Sequence, residues 1–224
     1  MTVRDNLAAV RQRIEAACAR VGRNPADVRI VAITKYIDAE RALHVLDAGI
    51  ADLGENRAGQ LLEKYERIGD RAVWHFIGTL QSRKVKDIID KVDYIHSLDR
   101  LSLAKEIEKR AVRPVKCFVQ VNVSGEATKH GLSPDETVPF IDQLRSFSHL
   151  EVVGLMTMAP HTDDEAVLRA CFRQLRVLKE RVQALRWPHA PCTELSMGMS
   201  NDYEIAIEEG ATFVRIGSAL VGSL

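Results

Sequence analysis

The sequence has no excess of charge of either sign: Lys+Arg and Asp+Glu are both 31 in 224 residues. No whole-molecule field therefore draws it onto nucleic acid or an anionic membrane, and neither is expected as a partner. A signal-like start is also lacking, because Arg4, Asp5, Arg11, Arg13, Glu15 and Arg20 interrupt the first twenty residues. No apolar run elsewhere approaches the ~20 residues that cross a bilayer. The expectation is a soluble, cytoplasmic protein. Cys18, Cys117, Cys171 and Cys192 form no Cys-x-x-Cys pair and no Cys/His spacing of a zinc site, so neither a disulfide framework nor a metal is expected. There is no linker, low-complexity segment or internal repeat. A hydrophobic content of 46% suffices for one substantial core, and residues 1–224 read as a single domain.

What is present is alternation. Val3, Leu7, Val10, Ile14, Cys18 and Val21 recur at steps of three and four, which predicts an amphipathic helix over about 3–20, ended by Gly22 and Pro25. Val28–Thr34 reads as a buried parallel strand, and Asp38–Ala48 as a helix closed by Gly49. Short apolar runs then follow at Ala51–Leu53, Val73–Ile77, Tyr94–Leu98, Lys116–Val123, Val152–Met158, Thr193–Ser196 and Thr212–Ile216, separated by helical stretches. Ser133-Pro-Asp-Glu136 and Thr162-Asp-Asp-Glu165 both read as capping boxes at helix starts. Eight strands in strict alternation with helices imply an α/β fold, a single (β/α)8 TIM-type barrel with an extra N-terminal helix, in preference to an open doubly wound sheet. Too little chain follows the eighth strand for a full covering helix, so the N-terminal helix is expected to cover that place.

In such a barrel the working residues lie at the C-terminal ends of strands. Lys35 follows the first strand, Asn56 the second and His161 the sixth; the seventh runs into Ser196-Met-Gly-Met-Ser-Asn201 and the eighth ends in Arg215-Ile-Gly-Ser218. The loops after strands seven and eight are where barrels frequently bind phosphate. Gly198 and Gly217 permit close approach of backbone amides to an anion, and Ser200 and Ser218 supply hydroxyls. The bland reading makes Ser200 an N-cap and Gly217 a turn, but both loops together favour a phosphate cradle. Lys35 would project its amine into the same mouth, where a lysine partly withdrawn from water can attack a carbonyl. An amine opposite a phosphate cradle suits an aldehyde-bearing phosphate cofactor, of which pyridoxal phosphate is the common one.

Arg215 would reach inward beside the cradle. A guanidinium only donates hydrogen bonds, so against a pyridine nitrogen it keeps that nitrogen unprotonated and the ring a poor electron sink. The alternative for Arg215 is an ion pair with Glu194 or Glu55. His75 reads as a core histidine satisfied by hydrogen bonds. Methionines 156, 158, 197 and 199 can pack against a flat ring or serve as filler, and Met197 is counted with the cofactor pocket.

The segments Val31-Ala-Ile-Thr-Lys35, Leu53-Gly-Glu-Asn-Arg57, Trp74-His-Phe-Ile-Gly-Thr-Leu-Gln-Ser82, Gly154-Leu-Met-Thr-Met158, Leu195-Ser-Met-Gly-Met-Ser-Asn-Asp202 and Val214-Arg-Ile-Gly217 closely resemble the pyridoxal phosphate homeostasis proteins. That resemblance implies a stand-alone version of the alanine racemase barrel, with pyridoxal phosphate held as a Schiff base on Lys35. It implies vitamin B6 homeostasis, by buffering or by delivery to pyridoxal-phosphate-dependent apoenzymes, without established catalysis. By position it puts the phosphate contacts on Ser200, Gly217 and Ser218, the ring-nitrogen arginine on Arg215, a pocket asparagine on Asn56, and a lysine of a second, allosteric site on Lys129. Two departures stand out: Tyr36-Ile37 replaces the usual Thr and Lys, and the sequence stops at Leu224 before the basic tail of some relatives. No catalytic residue is assigned. The competing expectations are an amino-acid racemase with Lys35 as one base, for which no residue stands out as the second base and Tyr36 and His161 are the candidates left, and a Schiff-base lyase acting on a sugar phosphate. Nothing in the sequence requires a dimer, so a monomer is expected.

Overall fold

The computed structural model describes residues 2–127 and 129–222. Among them, eight parallel strands close in sequence order into a barrel: β1 (Arg29–Ile33), β2 (Asp52–Glu55), β3 (Val73–Phe76), β4 (Tyr94–Leu98), β5 (Val115–Gln120), β6 (Leu150–Met156), β7 (Glu194–Ser196) and β8 (Phe213–Ile216). Closure is made by β1 against β8, with Arg29 opposite Phe213 and Val31 opposite Arg215. The helices are α1 (Val3–Val21), α2 (Ala39–Asp47), α3 (Ala58–Ile68), α4 (Val85–Ile88), α5 (Leu101–Arg110), α6 (Pro134–Asp142), α7 (Glu165–Ala184), α8 (Tyr203–Glu208) and α9 (Ser218–Val221).

The strand period of two sorts side chains between two layers. In β3, Trp74 and Phe76 join the large cluster between barrel and helices, whereas His75 stacks on Tyr94 inside the barrel, ring centroids 4.5 Å apart. The interior cluster is small, made of Val31, Tyr94, Phe118, Val153, Met156 and Phe213. Where β6 meets β7 no side chain fits: a Cβ on Gly154 would stand 2.0 Å from the Glu194 carbonyl oxygen.

Helix α1 buries Leu7, Val10, Ile14, Ala17 and Cys18 and ends at Gly22, whose φ of 69° suits a residue without a Cβ. It lies against α8 and α9. Asn6 Nδ2 donates to the Leu220 carbonyl at 2.8 Å, Arg23 to that of Ile207 at 2.6 Å, and Arg13 and Arg20 pair with Glu204 and Glu208. The N-terminal helix thus covers the short final element, as the sequence implies. All four cysteines are buried and unpaired.

Most strand ends shift by one or two residues from the sequence pattern, and three departures have a local physical cause. Strand β2 includes polar Asp52 and Glu55, because each is paired with an opposite charge or a histidine at the barrel wall, Asp52 with Arg29 and His75 and Glu55, through Oε1, with Lys64. Strand β5 ends at Gln120, where the chain turns into a loop held by Asn122, whose side-chain oxygen accepts from the Gly125 amide. The capping box at Ser133 and Glu136 is formed, but the one at Thr162 and Glu165 is not. There Asp164 caps α7, accepting from the amides of Ala166 and Val167, while Thr162 accepts from the Asp164 amide. A carboxylate nearer the helix outcompetes the hydroxyl for the same free amides.

Candidate functional site

The site begins where β1 ends. Thr34 is fully buried: its amide donates to the Gly54 carbonyl at 3.0 Å and its hydroxyl to Glu55 Oε1 at 2.6 Å. Lys64 Nζ donates to the Thr34 carbonyl at 2.9 Å and to Glu55 Oε1 at 2.6 Å, and both members of that pair are buried. The backbone just before Lys35 is therefore pinned from both sides. Lys35 itself is only half-buried, and among the described residues no carboxylate pairs with it. Its amine lies 4.8 Å from the centroid of the exposed Tyr36 ring.

Lys35 opens onto a cavity of about 550 Å³, shared with Tyr36, His161, Met199, Ser200, Arg215 and Ser218. A volume of this size lies in the range of roughly 300–1,000 Å³ usual for small-molecule sites. The loops after β7 and β8 form its far wall and are tied together, since Ser200 Oγ accepts from the amides of Gly217 (3.3 Å) and Ala219 (3.5 Å). Ser200 therefore does not cap α8. That helix follows Asp202, whose carboxylate accepts from the Met199 amide at 2.6 Å. Burial pushes the Asp202 carboxyl up, against the opposing pull of that hydrogen bond and of the Arg215 charge. The loop turns at Gly198, where φ is 98° and a Cβ would come 2.7 Å from Cβ of Ala206. Only glycine meets both conditions.

Arg215 enters from β8 and is buried. Its Nη1 donates to Ser196 Oγ at 2.6 Å and its Nη2 to the Thr157 carbonyl at 3.0 Å. The ion pair with Glu194 or Glu55 is not formed. Glu55 is committed to Lys64, Glu194 accepts from the Thr193 hydroxyl, and among the described residues no carboxylate lies within 4 Å of Arg215. Burial pushes the guanidinium down to about 10, with only the more distant Asp202 charge in its favour. A buried cation without a counterion, at the wall of a cavity, is set up to meet an acceptor brought by a ligand.

The structure thus brings Lys35, Ser200, Arg215, Gly217 and Ser218 together on one cavity, and His161 and Tyr36 with them. It does not bring in the other two residues read from the sequence. Asn56 lines a separate hollow of about 260 Å³ with Phe76, Leu80 and Gln81. Met197 is wholly buried in the core, its amide donating to the Phe213 carbonyl at 3.1 Å, and the methionine on the cavity is Met199. Lys129 lies in the β5–α6 loop, 3.4 Å from Glu126 and 3.4 Å from the Met158 carbonyl. The sequence reading also missed Asp202 as a wall of the cavity and the Thr157 carbonyl as an arginine acceptor. An aspartate just before a helix, four residues after a flexible glycine, is the signal that could have found Asp202.

Fold and site together define a closed parallel barrel carrying an amine and a buried guanidinium on one ligand-sized cavity, neither of them paired with a carboxylate among the described residues. The sequence profile of the alanine racemase N-terminal domain matches residues 6–224. A pyridoxal phosphate homeostasis protein of Aquifex aeolicus is 40% identical over 226 residues, covering 99% of this chain and 98% of that protein. By structure, the barrel is similar to a protein of Bifidobacterium adolescentis, with a TM-score of 0.93 and 35% identity over 97% of this chain and 94% of the other. It is also similar to PipY of Synechococcus elongatus PCC7942, solved with PLP bound, with a TM-score of 0.86 and 30% identity over 99% of this chain and all of that one. The chain belongs to the pyridoxal phosphate homeostasis protein family.

Proposed function

We propose that this chain is a carrier of pyridoxal 5'-phosphate in intracellular vitamin B6 homeostasis, holding the cofactor as a Schiff base on Lys35. The observation that carries the reading is the shared cavity of Lys35, Arg215 and the joined β7 and β8 loops. The residues present fit the group. Arg215 is a buried donor with no carboxylate partner among the described residues, Ser200 and Ser218 offer hydroxyls, and the 217–219 backbone approaches Ser200 closely. When bound, the cofactor supplies an aldehyde that condenses with an amine and a ring able to draw electrons from a bound amino acid.

On this reading Lys35 is the covalent anchor, set in place by the buried Thr34, Glu55 and Lys64 behind it. Ser200 and Ser218 bind the phosphate through their hydroxyls, and Gly217, its amide held by Ser200, lets the backbone approach it closely. Arg215 faces the ring nitrogen and holds no proton that it gives up readily, which leaves the ring a weak electron sink and favours carriage over catalysis. Candidate recipients are apoenzymes that use the same cofactor. The cytoplasm suits four buried, unpaired thiols, and among the described residues no helix is long and apolar enough to cross a membrane. We take the working unit to be a monomer.

The test is to dialyse the protein free of cofactor, titrate it with pyridoxal 5'-phosphate and follow near-visible absorbance. A saturable new band with one-to-one stoichiometry is expected, and no band at excess cofactor overturns the reading. A racemase remains the second reading on one observation: Tyr36 and His161 line the cavity that holds Lys35. Enantiomer exchange of alanine by the loaded protein, lost in His161→Ala or Tyr36→Phe, would replace carriage by catalysis.

A further inference from the structure

Behind Arg215 a continuous line of buried polar groups crosses the barrel interior. Arg215 Nη1 donates to Ser196 Oγ (2.6 Å), Ser196 Oγ lies 2.8 Å from His96 Nδ1, His96 Nε2 lies 2.8 Å from His75 Nδ1, and His75 Nε2 lies 2.7 Å from Asp52 Oδ1. Asp52 Oδ1 also accepts from Arg29 at 2.8 Å. Ser196, His96 and His75 are wholly buried. The line ends at the opposite face, where Arg29 borders an open cavity of about 620 Å³ with Tyr94 and Lys116. It joins four of the eight strands, β8, β7, β4 and β3, and reaches β2 at Asp52.

The direction of every bond in this line is fixed by its ends. A guanidinium can only donate and an ionised carboxylate can only accept. Ser196 receives the Arg215 proton, so its own hydroxyl hydrogen must go to His96 Nδ1, the other partner within reach. His96 then carries its proton on Nε2 and donates to His75 Nδ1. His75 carries its proton on Nε2 and donates to Asp52. A second proton on either imidazole would reverse the bonds above it and leave the Ser196 hydrogen buried without an acceptor, which costs about 1–3 kcal/mol. Burial independently favours the neutral form of both rings.

We propose that Asp52, His75, His96 and Ser196 form a one-way hydrogen-bond relay across the barrel that orients Arg215, making His96 and His75 positioning residues for the cofactor pocket. Its link to the pocket rests on the function proposed above. The relay explains why an interior otherwise lined by Phe118, Tyr94 and Phe213 holds two neutral histidines: each is an acceptor on Nδ1 and a donor on Nε2, a combination that an apolar ring does not supply. It also gives Arg215 a fixed acceptor in place of the carboxylate it lacks.

The first test needs neither cofactor nor variant. Long-range proton–nitrogen spectra of the [15N]histidine-labelled chain, with resonances assigned by His75→Phe and His96→Phe, should show both rings neutral and protonated on Nε2 at pH 7. A proton on Nδ1 of either ring, or an imidazolium, overturns the relay. The second test reads its action. His96→Phe, whose new ring would lie against Phe118, is expected to weaken binding of pyridoxal 5'-phosphate about tenfold, and Arg215→Met at least as much. Adding His96→Phe to Arg215→Met should change affinity less than about twofold, because the relay acts only through the arginine. Additive losses overturn the proposal. If the wild-type chain binds no pyridoxal 5'-phosphate, the functional reading falls while the tautomers still decide the relay. In that case a shift of the Arg215 side-chain nitrogen resonances in His96→Phe supports it, and unchanged resonances overturn it.

Discussion

Two lysines flank Thr34 and behave oppositely. Lys64 is buried and spends its amine on Glu55 and the Thr34 carbonyl, whereas Lys35 stands half-exposed at the barrel mouth with no carboxylate partner among the described residues. Two arginines repeat the contrast. Arg29, at the bottom of the barrel, has Asp52, which outweighs the effect of its burial and lifts it above its ordinary value. Arg215, at the top, has only neutral acceptors among the described residues, and burial pushes it down to about 10. The lysine and arginine that build the barrel wall are committed to carboxylates, whereas the lysine and arginine that face the cavity have none among the described residues. The difference separates framework from site without any ligand in view.

The contrast breaks most visibly if the committed lysine is removed. Lys64→Met strands Glu55, already holding one buried oxygen without a partner, as an unpaired charge in the wall. The expected loss is about 3–5 kcal/mol of unfolding free energy, measured by urea denaturation. Lys35→Met, in contrast, should stay within about 0.5 kcal/mol of wild type. Equal losses would erase the distinction.

Gly198→Ala should come next, because the loop has φ of 98° there and the added Cβ would press on Ala206. A loss of about 2–3 kcal/mol is expected, together with weaker cofactor binding as the Ser200 bridge shifts. An alanine variant as stable as wild type would show that the loop is not held at that turn.

The histidines joining the two ends predict a pH dependence. Burial lowers both His75 and His96 below the ordinary 6.5, so the folded barrel refuses protons that the unfolded chain accepts. Stability is then full above pH 6.5 and falls as pH drops below it, by up to about 1.4 kcal/mol per pH unit for each ring. Asp52, held down by His75 and Arg29 against the penalty of burial, adds a further loss as the pH falls below its ordinary 3.8. Urea midpoints between pH 5 and 8 should show the histidine slope, and His75→Phe should flatten it. The smallest effect is at Ser200: Ser200→Ala frees two amides, and its cofactor affinity should fall about fivefold to tenfold, a change of about 1–1.4 kcal/mol.

Much of this framework is legible in the sequence because it depends on local spacing. The α1 stripe, the eight apolar runs and the Ser133 box are each decided within about twenty residues of neighbouring sequence. Lys35 and the β7 and β8 loops are legible as well, since a strand end fixes which mouth a residue serves. The relay is not. His96, Ser196, Asp52 and Arg215 are far apart along the chain, and only barrel closure sets them end to end. Asn56 and Met197 show the converse limit. Their loops reach the mouth, but burial of one and a neighbouring hollow for the other depend on packing that spacing does not encode.

The central claim is that the uncommitted amine is the anchor. Protein loaded with pyridoxal 5'-phosphate should be reduced with borohydride, digested and mapped by peptide mass spectrometry. A phosphopyridoxyl group on Lys35, absent from Lys64 and lost in Lys35→Met, is the predicted result. A stoichiometric adduct on any other lysine, or none at all, would contradict it.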